Sequence, residues 1–511
     1  MSARQPEGER TCPGERYSIS PAICRTRQRN QYPKCLLCPH RSAELIGSMA
    51  SDPKVKASIF RATSMLGRVP ADVNEYVMRK VGLGAAQFLR AEQPSGSCLV
   101  VASDLRDSSR GFARIFCEGV NRGGMDTLNI GAVPPELIAF VLGSDGQTGG
   151  AFIGGGNYAD TINGVRLWRG NLAPVAIGTG LEKVGLIARR LRTGCSRLPG
   201  TRRNANPVSD YVAYVRKFVP KLAPVRVAID GGYGVGARLL ETVLSGLQIE
   251  VTPCHFNEDG HNPFLGRIFP CNGLTASVRA EVQRAKAHFG AAVDFDGERI
   301  AFFDERGRLL RDDAAAGLIA TELLARTPGG SVTYDLRATA ALRARIEREG
   351  GKAIPAPAGR LPMDQHFRRN NSLYGADLGG LHYFKDFFHS ASPVLALLIF
   401  ASHVAREGKA VSDLAADLTQ FSQSGEVTIA TPSPETAQEV IERVKDEFQG
   451  AERELIDGLT VRQADWWFNL RQRGQTAELL LNVEGRRSMD ERRGRQSVER
   501  LITKILAGVA A

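Results

Sequence analysis

The chain has 511 residues, of which 43% are hydrophobic and 24% are charged. This composition excludes a disordered, collagen-like or disulfide-stabilised small protein, and the length exceeds what one hydrophobic core supports, so we expect several domains. The 66 basic residues outnumber the 55 acidic residues and give a net charge of +11. A positive charge favours anionic ligands, but it does not distinguish nucleic acids from phosphorylated metabolites.

We expect neither a membrane span nor a secretory signal in this sequence. The longest apolar stretch, 393–404, is interrupted by Ser402 and His403 and is too short to cross a bilayer. The N-terminus is polar and has no apolar signal region. The nine cysteines are an odd number and are scattered, which indicates reduced thiols. We therefore expect a cytoplasmic protein without a membrane span.

The first fifty residues differ from the rest, with eight basic residues against four acidic ones and four of the nine cysteines. A C-x-x-C pair at Cys35 and Cys38 could supply two of the four ligands of a tetrahedral zinc ion. The candidate ligands of this zinc site are Cys12, Cys24, Cys35, Cys38 and His40. However, Cys12 and Cys24 are too far apart in sequence for a usual zinc-binding turn. A flexible basic tail with incidental thiols explains the same residues, and both interpretations stay open.

Beyond this extension, short apolar runs alternate with longer helical patterns, which is typical of α/β domains. The pattern restarts twice and predicts three α/β units, whose opening strands lie at 99–103, 225–230 and 330–335. A smaller α+β domain follows, with predicted strands at 426–429, 459–462, 466–470 and 479–483 and helices at about 434–449 and from about 497. The predicted boundaries are 1–50 for the extension, 51–200, 201–310 and 311–424 for the α/β domains, and 425–511 for the last domain.

A glycine-rich turn at 231–236 follows a predicted strand and opens a helix, as a dinucleotide fingerprint would. Its spacing departs from G-x-G-x-x-G, and no acidic residue stands at the end of the next strand to hold a ribose. We interpret it as a structural turn.

Three carboxylates, Asp294, Asp296 and Glu298, alternate along a short loop after a predicted strand. Such a set can converge on a hard divalent cation such as Mg²⁺, although a solvated acidic turn has the same pattern. Together with 304–310, the segment resembles the D-x-D-x-D-R metal loop of the α-D-phosphohexomutases, the phosphomannomutase and phosphoglucomutase family, with Glu298 at the third acidic position.

Other segments extend the resemblance from about Ile59 to the end of the chain. Residues 103–109 resemble the family's D-x-R-x-S-S turn. Residues 163–166 resemble its N-G-x-K segment, with Arg166 at the lysine, and 467–471 with 481–484 resemble the frame of its phosphate loop. The resemblance implies three α/β domains followed by one α+β domain. It also implies a phosphorylated sugar as ligand, with substrate contacts at Asp377, Arg299, Arg471 and Arg473.

The nucleophile loop departs from the family pattern. The family's T-A-S-H-N-P corresponds to 154–159 and places Gly156 where the phosphoserine should stand, so no catalytic residue is assigned. Thr161 and Asp160 lie nearby in sequence, but an error of about 1 Å in the position of a reactive atom already costs roughly 100-fold. We do not expect either residue to replace the serine.

Four further loops depart from the family at positions that face the ligand. Residues 375–381 correspond to the family's sugar-recognition loop, called the sugar loop below. Asp377 keeps its acidic group, but Leu381 stands where the family has a histidine. In the first domain, Leu66 stands where the family has an arginine. The altered loops lie at 64–68, 154–159, 358–364, 375–381 and 471–480. Function depends on the site and not on the fold, so we expect a protein that has lost mutase chemistry and acts through binding. Without a phosphoserine oxygen, Mg²⁺ should bind only weakly at the segment that carries Asp294, Asp296 and Glu298, which we call the acidic loop.

Two alternatives stay open. One is a diverged but active phosphosugar mutase, an intramolecular phosphotransferase. The other is a binding or regulatory protein that contacts a protein partner through its basic, cysteine-containing arm. We do not expect nucleic-acid binding, because the arm lacks interleaved aromatic residues and a recognisable motif.

Overall fold

The computed structural model describes residues 10–12, 17–29, 38, 54–93, 97–190, 198–219, 222–257 and 262–509. The chain forms two compact units, Met1–Lys56 and Ala57–Ala511. Within the described residues, no helix is both long and apolar enough to cross a membrane.

The first unit contains a small hairpin and one helix. The strands Arg10–Thr11 and Ser18–Ile19 pair in antiparallel fashion, and the helix Pro21–Arg29 follows them. The side chains of Cys12 and Cys24 are buried and pack with Ile19. This small apolar cluster joins the hairpin to the helix.

The second unit begins with a seven-stranded mixed sheet. In spatial order its strands are Phe60–Arg61, Ser64–Arg68, Ile162–Arg169, Gly149–Ile153, Cys98–Ser103, Asp126–Ala132 and Arg202–Asn204. Its helices are Glu75–Glu92, Asp107–Arg122, Pro135–Asp145 and Leu181–Arg190, with a 3-10 turn at Ala57–Ile59. The central strand Cys98–Ser103 is apolar up to Ser103 and buried on both faces, as expected for a strand with parallel neighbours.

The second α/β domain has a four-stranded sheet. Its strands, in spatial order, are Ile249–Cys254, Val225–Asp230, Phe289–Val293 and Ile300–Phe303, and only the last is antiparallel to its neighbour. Its helices are Val208–Val215, Gly236–Leu244 and Asn272–Ala285, with a 3-10 turn at Arg216–Phe218.

The glycine-rich turn of this domain packs tightly against the acidic loop. Gly232 has φ +61°, and a Cβ atom on Gly234 would lie 2.0 Å from the carbonyl oxygen of Phe295. Glycine is required here for close backbone packing. These contacts explain the glycines without a nucleotide, in agreement with the structural interpretation of the turn.

The third α/β domain has a five-stranded sheet in the order Lys352–Ala356, Ser331–Asp335, Tyr374–Ala376, His382–Phe384 and Ser390–Ala391. Its helices are Asp312–Arg326, Ala340–Arg348, Arg360–Arg369, Pro393–Glu407 and Val411–Leu414, with a 3-10 turn at Ala416–Leu418. One apolar core continues through the three α/β domains and includes Ile138, Phe289 and Phe400.

The C-terminal domain is an antiparallel sheet with two helices and its own apolar core. Its strands, in spatial order, are Ser422–Ala430, Glu478–Gly485, Trp466–Gln472, Leu459–Arg462 and Glu452–Glu454, and its helices are Pro434–Glu447 and Ser488–Val509. The order of three α/β domains and one α+β domain is the predicted one.

The last helix corrects one sequence prediction, because it begins at Ser488 and not near residue 497. Asp490 and Glu491 occupy its first turn, where negative charge stabilises the end of a helix. The first turns are rich in arginine and show little apolar periodicity, so the sequence signal begins only where the helix packs on the sheet.

Candidate functional site

The loop at 154–159 connects the strands Gly149–Ile153 and Ile162–Arg169. Asp104 accepts a hydrogen bond from the backbone nitrogen of Gly155 at 3.1 Å. The guanidinium of Arg106 donates to the carbonyl oxygens of Gly156 at 2.8 Å and Tyr158 at 2.7 Å, and it is itself paired with Asp104. Asp104 and Arg106 therefore hold the backbone of the loop at Gly155, Gly156 and Tyr158.

Gly156 lies at the point of this loop that faces the acidic loop. Its φ is +59°, and a Cβ atom added there would have one atom within 4 Å outside its chain neighbours, Oδ2 of Asp296 at 4.0 Å. At Gly155, by contrast, a Cβ would lie 2.4 Å from the carbonyl oxygen of Ile162. The position of Gly156 has space for a side chain, but no hydroxyl from a neighbouring residue occupies it.

The acidic loop connects the strands Phe289–Val293 and Ile300–Phe303, and all three of its carboxylates are buried. Oδ1 of Asp294 accepts from the backbone nitrogens of Glu298 at 2.8 Å and Arg299 at 3.1 Å. Oδ2 of Asp294 accepts from Nδ2 of Asn157 at 3.3 Å. Asp294 therefore holds the loop in shape and ties it to the loop that carries Gly156.

Two arginines from other domains enter the acidic loop. Arg166, on the strand Ile162–Arg169, donates to Oδ2 of Asp296 at 2.9 Å and also to Glu298. Arg360, at the start of the helix Arg360–Arg369, donates to both carboxylate oxygens of Glu298, one of them at 2.8 Å. Glu298 thus links all three α/β domains through guanidinium groups.

The charges explain the protonation of these carboxyls. Burial opposes ionisation of Glu298, but the guanidinium groups of Arg166 and Arg360 outweigh it and hold its pKa well below the usual range. Burial raises the pKa of Asp296 to about 7, although Arg166 opposes the shift. Glu298 is therefore the ionised centre of the cluster.

This donor set does not fit a divalent cation. Both oxygens of Glu298 and one oxygen of Asp296 already accept from guanidinium groups, and both oxygens of Asp294 accept N–H bonds. Among the described residues, only Oδ1 of Asp296 in this set is buried without a partner. Magnesium takes oxygen ligands in near-octahedral geometry, and although several of them can be water, one or two carboxylates must be free to bind it. The two arginines supply the positive charge that a metal would otherwise bring.

The sugar loop brings two of the predicted substrate contacts near each other. Arg299 donates to the carbonyl oxygen of Gly379 and lies 3.9 Å from Oδ2 of Asp294. Oδ1 of Asp377 accepts from the backbone nitrogens of Gly379 at 2.9 Å and Leu381 at 3.0 Å, and burial raises the pKa of Asp377. A Cβ on Gly379 would lie 2.5 Å from Nη1 of Arg299, so this arginine fills the space of the missing side chain.

The other two predicted contacts lie in the C-terminal domain and are also paired internally. Arg471 is buried, donates to Glu426 and lies 3.5 Å from Asp457. Arg473 is half exposed and pairs with Glu478 at 3.1 Å. Both guanidinium groups therefore already have carboxylate partners.

The candidate zinc ligands are described in part. Cys12, Cys24 and Cys38 are buried and carry free thiols, whereas Cys35 and His40 lie outside the described residues. Arg27 donates to Sγ of Cys12 at 3.3 Å. In the part of the chain that the structure describes, no three His, Cys, Asp or Glu side chains are grouped so that they could hold a metal.

Sequence reasoning missed the roles of Arg166 and Arg360. A signal for Arg166 was present, because it stands at the lysine of the N-G-x-K segment. Arg360 lies in a segment whose sequence differs from the family pattern, and its approach to Glu298 depends on how the third domain packs against the second. No local pattern encodes that contact.

Three family models match this chain in order. They are the phosphoglucomutase/phosphomannomutase α/β/α domains I, II and III, over residues 57–171, 209–307 and 311–421. Phosphohexose mutases of Xanthomonas campestris are 26% identical to it over 434 residues, which cover 84% of this chain and 95% of that protein.

Solved structures share the fold. A phosphoglucomutase/phosphomannomutase family protein from Burkholderia thailandensis superposes with a TM-score of 0.78 at 21% identity and covers 88% of this chain and 98% of that one. The N-acetylphosphoglucosamine mutase of Aspergillus fumigatus, in complex with GlcNAc-6P and magnesium, has a TM-score of 0.53 at 14% identity, with coverages of 85% and 96%.

Proposed function

Because this chain belongs to the phosphoglucomutase/phosphomannomutase family, we propose that it is a phosphohexomutase-fold protein that has lost mutase turnover and acts by binding. We further propose that it is cytoplasmic and that its ligand is a phosphorylated sugar. The Aspergillus structure with GlcNAc-6P supports this ligand class by analogy.

Gly156 is the observation that carries the proposal. Phosphoryl transfer through a covalent intermediate needs a nucleophilic oxygen at a defined position. Asp104 and Arg106 hold the backbone of the loop around Gly156, and yet Gly156 itself presents only a hydrogen atom. Covalent catalysis supplies several orders of magnitude in rate, and a shifted hydroxyl would not restore it.

The paired arginines support the same proposal. Transfer of a phosphoryl group requires positive charge that is free to meet phosphate oxygens. Here Arg166 and Arg360 neutralise Glu298, and Arg471 faces Glu426 and Asp457. A sugar phosphate would have to displace carboxylates that are already in place, so we expect any such binding to be weaker than in an active mutase.

A mutase assay tests the proposal. Purified full-length protein is given glucose 1-phosphate or mannose 1-phosphate, Mg²⁺ and the corresponding 1,6-bisphosphate, and the 6-phosphate product is measured. A Xanthomonas campestris phosphohexose mutase serves as the positive control. We expect product formation at the level of the protein-free blank. Turnover in the ordinary enzyme range of about 1 to 1000 per second would instead establish a diverged, active mutase.

A further inference from the structure

The two helices of the C-terminal domain, Pro434–Glu447 and Ser488–Val509, are neighbours and pack on the same apolar core. Three apolar residues of each helix are buried in that core: Ala437, Val440, Val444, Val498, Ile502 and Ile505. The residues on the opposite side of each helix are exposed. The two helices therefore present one continuous outer face to solvent.

The first helix makes the acidic half of this face. Glu439 and Glu442 are exposed and pair with Arg443 and Lys445 of the same helix. Two further exposed acids, Glu435 and Asp446, have no cationic partner among the described residues, and we call them the acidic pair. They stand eleven positions apart, which is about three helical turns and about 16.5 Å, so both project away from the core.

The second helix makes the basic half. Arg493 and Lys504 are exposed and have no carboxylate partner in the part of the chain that the structure describes, and we call them the basic pair. They also stand eleven positions apart and project away from the core. The acids in the first turn of this helix, Asp490 and Glu491, are buried and pair with other arginines. They do not neutralise the outer face.

The acidic pair and the basic pair have opposite charge and the same spacing. The two pairs therefore match each other at both positions, whether the helices that carry them run parallel or antiparallel. Two-fold symmetry makes an interface self-complementary, because each contact occurs twice. A two-fold axis that runs between the helices and parallel to them lays each helix over the other helix of a second copy. Both matches then form, with four ion pairs in all.

The acidic half argues against a nucleic acid as the occupant. A polyanion over the basic pair would also lie beside the acidic helix, which repels it. A second copy meets both halves with opposite charge. The shorter helix has 14 residues, so the face measures about 21 Å by 20 Å and buries roughly 400 Å² per copy. Such an interface is at the low end for specific contacts and gives a weak dimer.

We propose that the chain forms a weak two-fold dimer through the outer faces of these two helices, with the acidic pair of each copy against the basic pair of the other. This inference does not depend on the loss of mutase turnover, because it uses no residue of the acidic loop, the nucleophile loop or the sugar loop.

Sedimentation equilibrium of the reduced full-length protein tests the proposal. At about 50 mM NaCl, the average mass should rise towards that of a dimer as the protein concentration increases from about 10 to about 500 µM. At about 500 mM NaCl, the dissociation constant should be about tenfold higher or more, because salt screens exposed charges. Association that strengthens with salt would instead reflect relief of the overall positive charge and would overturn the proposal.

Charge reversal tests the matched pairs directly. Glu435→Lys/Asp446→Lys makes both halves of the face basic, and Arg493→Glu/Lys504→Glu makes both halves acidic. Each double variant alone should stay monomeric, because like charges then meet in both helix contacts. An equimolar mixture of the two variants should dimerise as the wild type does, since each contact is complementary again.

Arg110→Glu/Arg114→Glu is the matched control, because it makes the same change of net charge at two exposed positions of the helix Asp107–Arg122. It should dimerise as the wild type does. All the variants should melt near the wild-type temperature, since every altered residue is exposed. Wild-type protein that stays monomeric throughout would overturn the proposal. A wild-type-like dimer in either reversed variant, or a mixture that stays monomeric, would also overturn it.

Discussion

At the scale of single residues, Gly156 and its neighbour Gly155 differ in what they permit. A Cβ on Gly155 would meet backbone at 2.4 Å, whereas a Cβ on Gly156 meets nothing closer than 4.0 Å. The first glycine is thus required by packing. The second is required by neither packing nor the hydrogen bonds of the loop, and only its left-handed φ favours glycine.

The variant Gly156→Ser should therefore fold but remain inactive. A left-handed conformation costs a residue with a side chain about 1–2 kcal/mol, so we expect a melting temperature only a few degrees lower. Activity should stay at the blank, because Arg166 and Arg360 still fill the acidic loop. Gly155→Ser is the control and should be far less stable. Recovery of turnover in Gly156→Ser would show that the other altered loops do not matter.

Glu136 gives a second prediction, which concerns pH. Its pKa is about 8 in the folded chain against an ordinary value of 4.5, chiefly because of burial, and the groups facing it are the hydroxyls of Tyr211 and Ser392 and the charge of Glu298. The folded chain binds this proton more tightly than the unfolded chain does. Its contribution to the free energy of unfolding is therefore complete below pH 4.5 and is lost as the pH rises towards 8. Glu136→Gln cannot ionise and should avoid that loss.

The melting temperatures of wild type and Glu136→Gln, measured across this pH range, check the prediction. As the pH rises, the free energy of unfolding of the variant should increase relative to that of the wild type. The total change should be a few kcal/mol, at roughly 1.4 kcal/mol per unit of pKa difference. A constant difference between the two proteins from pH 4.5 to pH 8 would contradict the protonated state assigned to Glu136.

At the scale of elements, the acidic loop acts as a joint between domains. Glu298 receives Arg166 from the first domain and Arg360 from the third, and it is almost fully buried. Taking one partner from a buried ion pair leaves an uncompensated charge and costs about 3–5 kcal/mol. Part of that cost is avoided here, since a second guanidinium remains.

Arg360→Met should therefore lower the melting temperature clearly, with and without Mg²⁺. Arg369→Met, at the exposed end of the same helix, is the control and should have little effect. Calorimetry of the wild type should show no tight, stoichiometric Mg²⁺ binding. Tight binding that disappears in Asp296→Ala would contradict the assignment of the loop to arginine partners.

The N-terminal unit gives a separate prediction. Cys12 and Cys24 pack in one cluster, and Cys38 is also buried with a free thiol. If the predicted zinc site forms with Cys35 or His40, elemental analysis should find about one zinc per chain, which is lost in Cys35→Ser/Cys38→Ser. Cys271→Ser, in the second unit, should keep the zinc. If the wild-type protein contains no zinc, the zinc site is excluded, and the interpretation as a basic tail with incidental thiols remains.

At the scale of the whole molecule, the sequence predicted the fold better than the site. Apolar runs such as 225–230 marked buried strands because parallel strands are covered on both faces. The start of the last helix was misplaced because its arginine-rich first turns carry no apolar stripe. The sequence also predicted that the acidic residues 294–298 follow a strand, and they lie between the strands Phe289–Val293 and Ile300–Phe303.

The partners of the charged side chains could not be predicted in the same way. Arg166 and Arg360 reach Glu298 across domain boundaries, and Arg471 turns towards Glu426. Such pairs depend on the relative placement of domains, which no local pattern of apolar and polar residues encodes.

With Gly156 at the place of a nucleophile, this chain should not accept a phosphoryl group, and attempted phosphorylation of the protein tests this directly. Wild-type protein is incubated with glucose 1,6-bisphosphate and Mg²⁺, and its intact mass is measured beside that of a Xanthomonas campestris phosphohexose mutase. We predict that the control gains one phosphoryl group and that this chain keeps its unmodified mass. A stoichiometric phosphoprotein, mapped for example to Thr161 or Asp160, would show that the chain has another phosphoryl acceptor and would contradict the loss of mutase turnover.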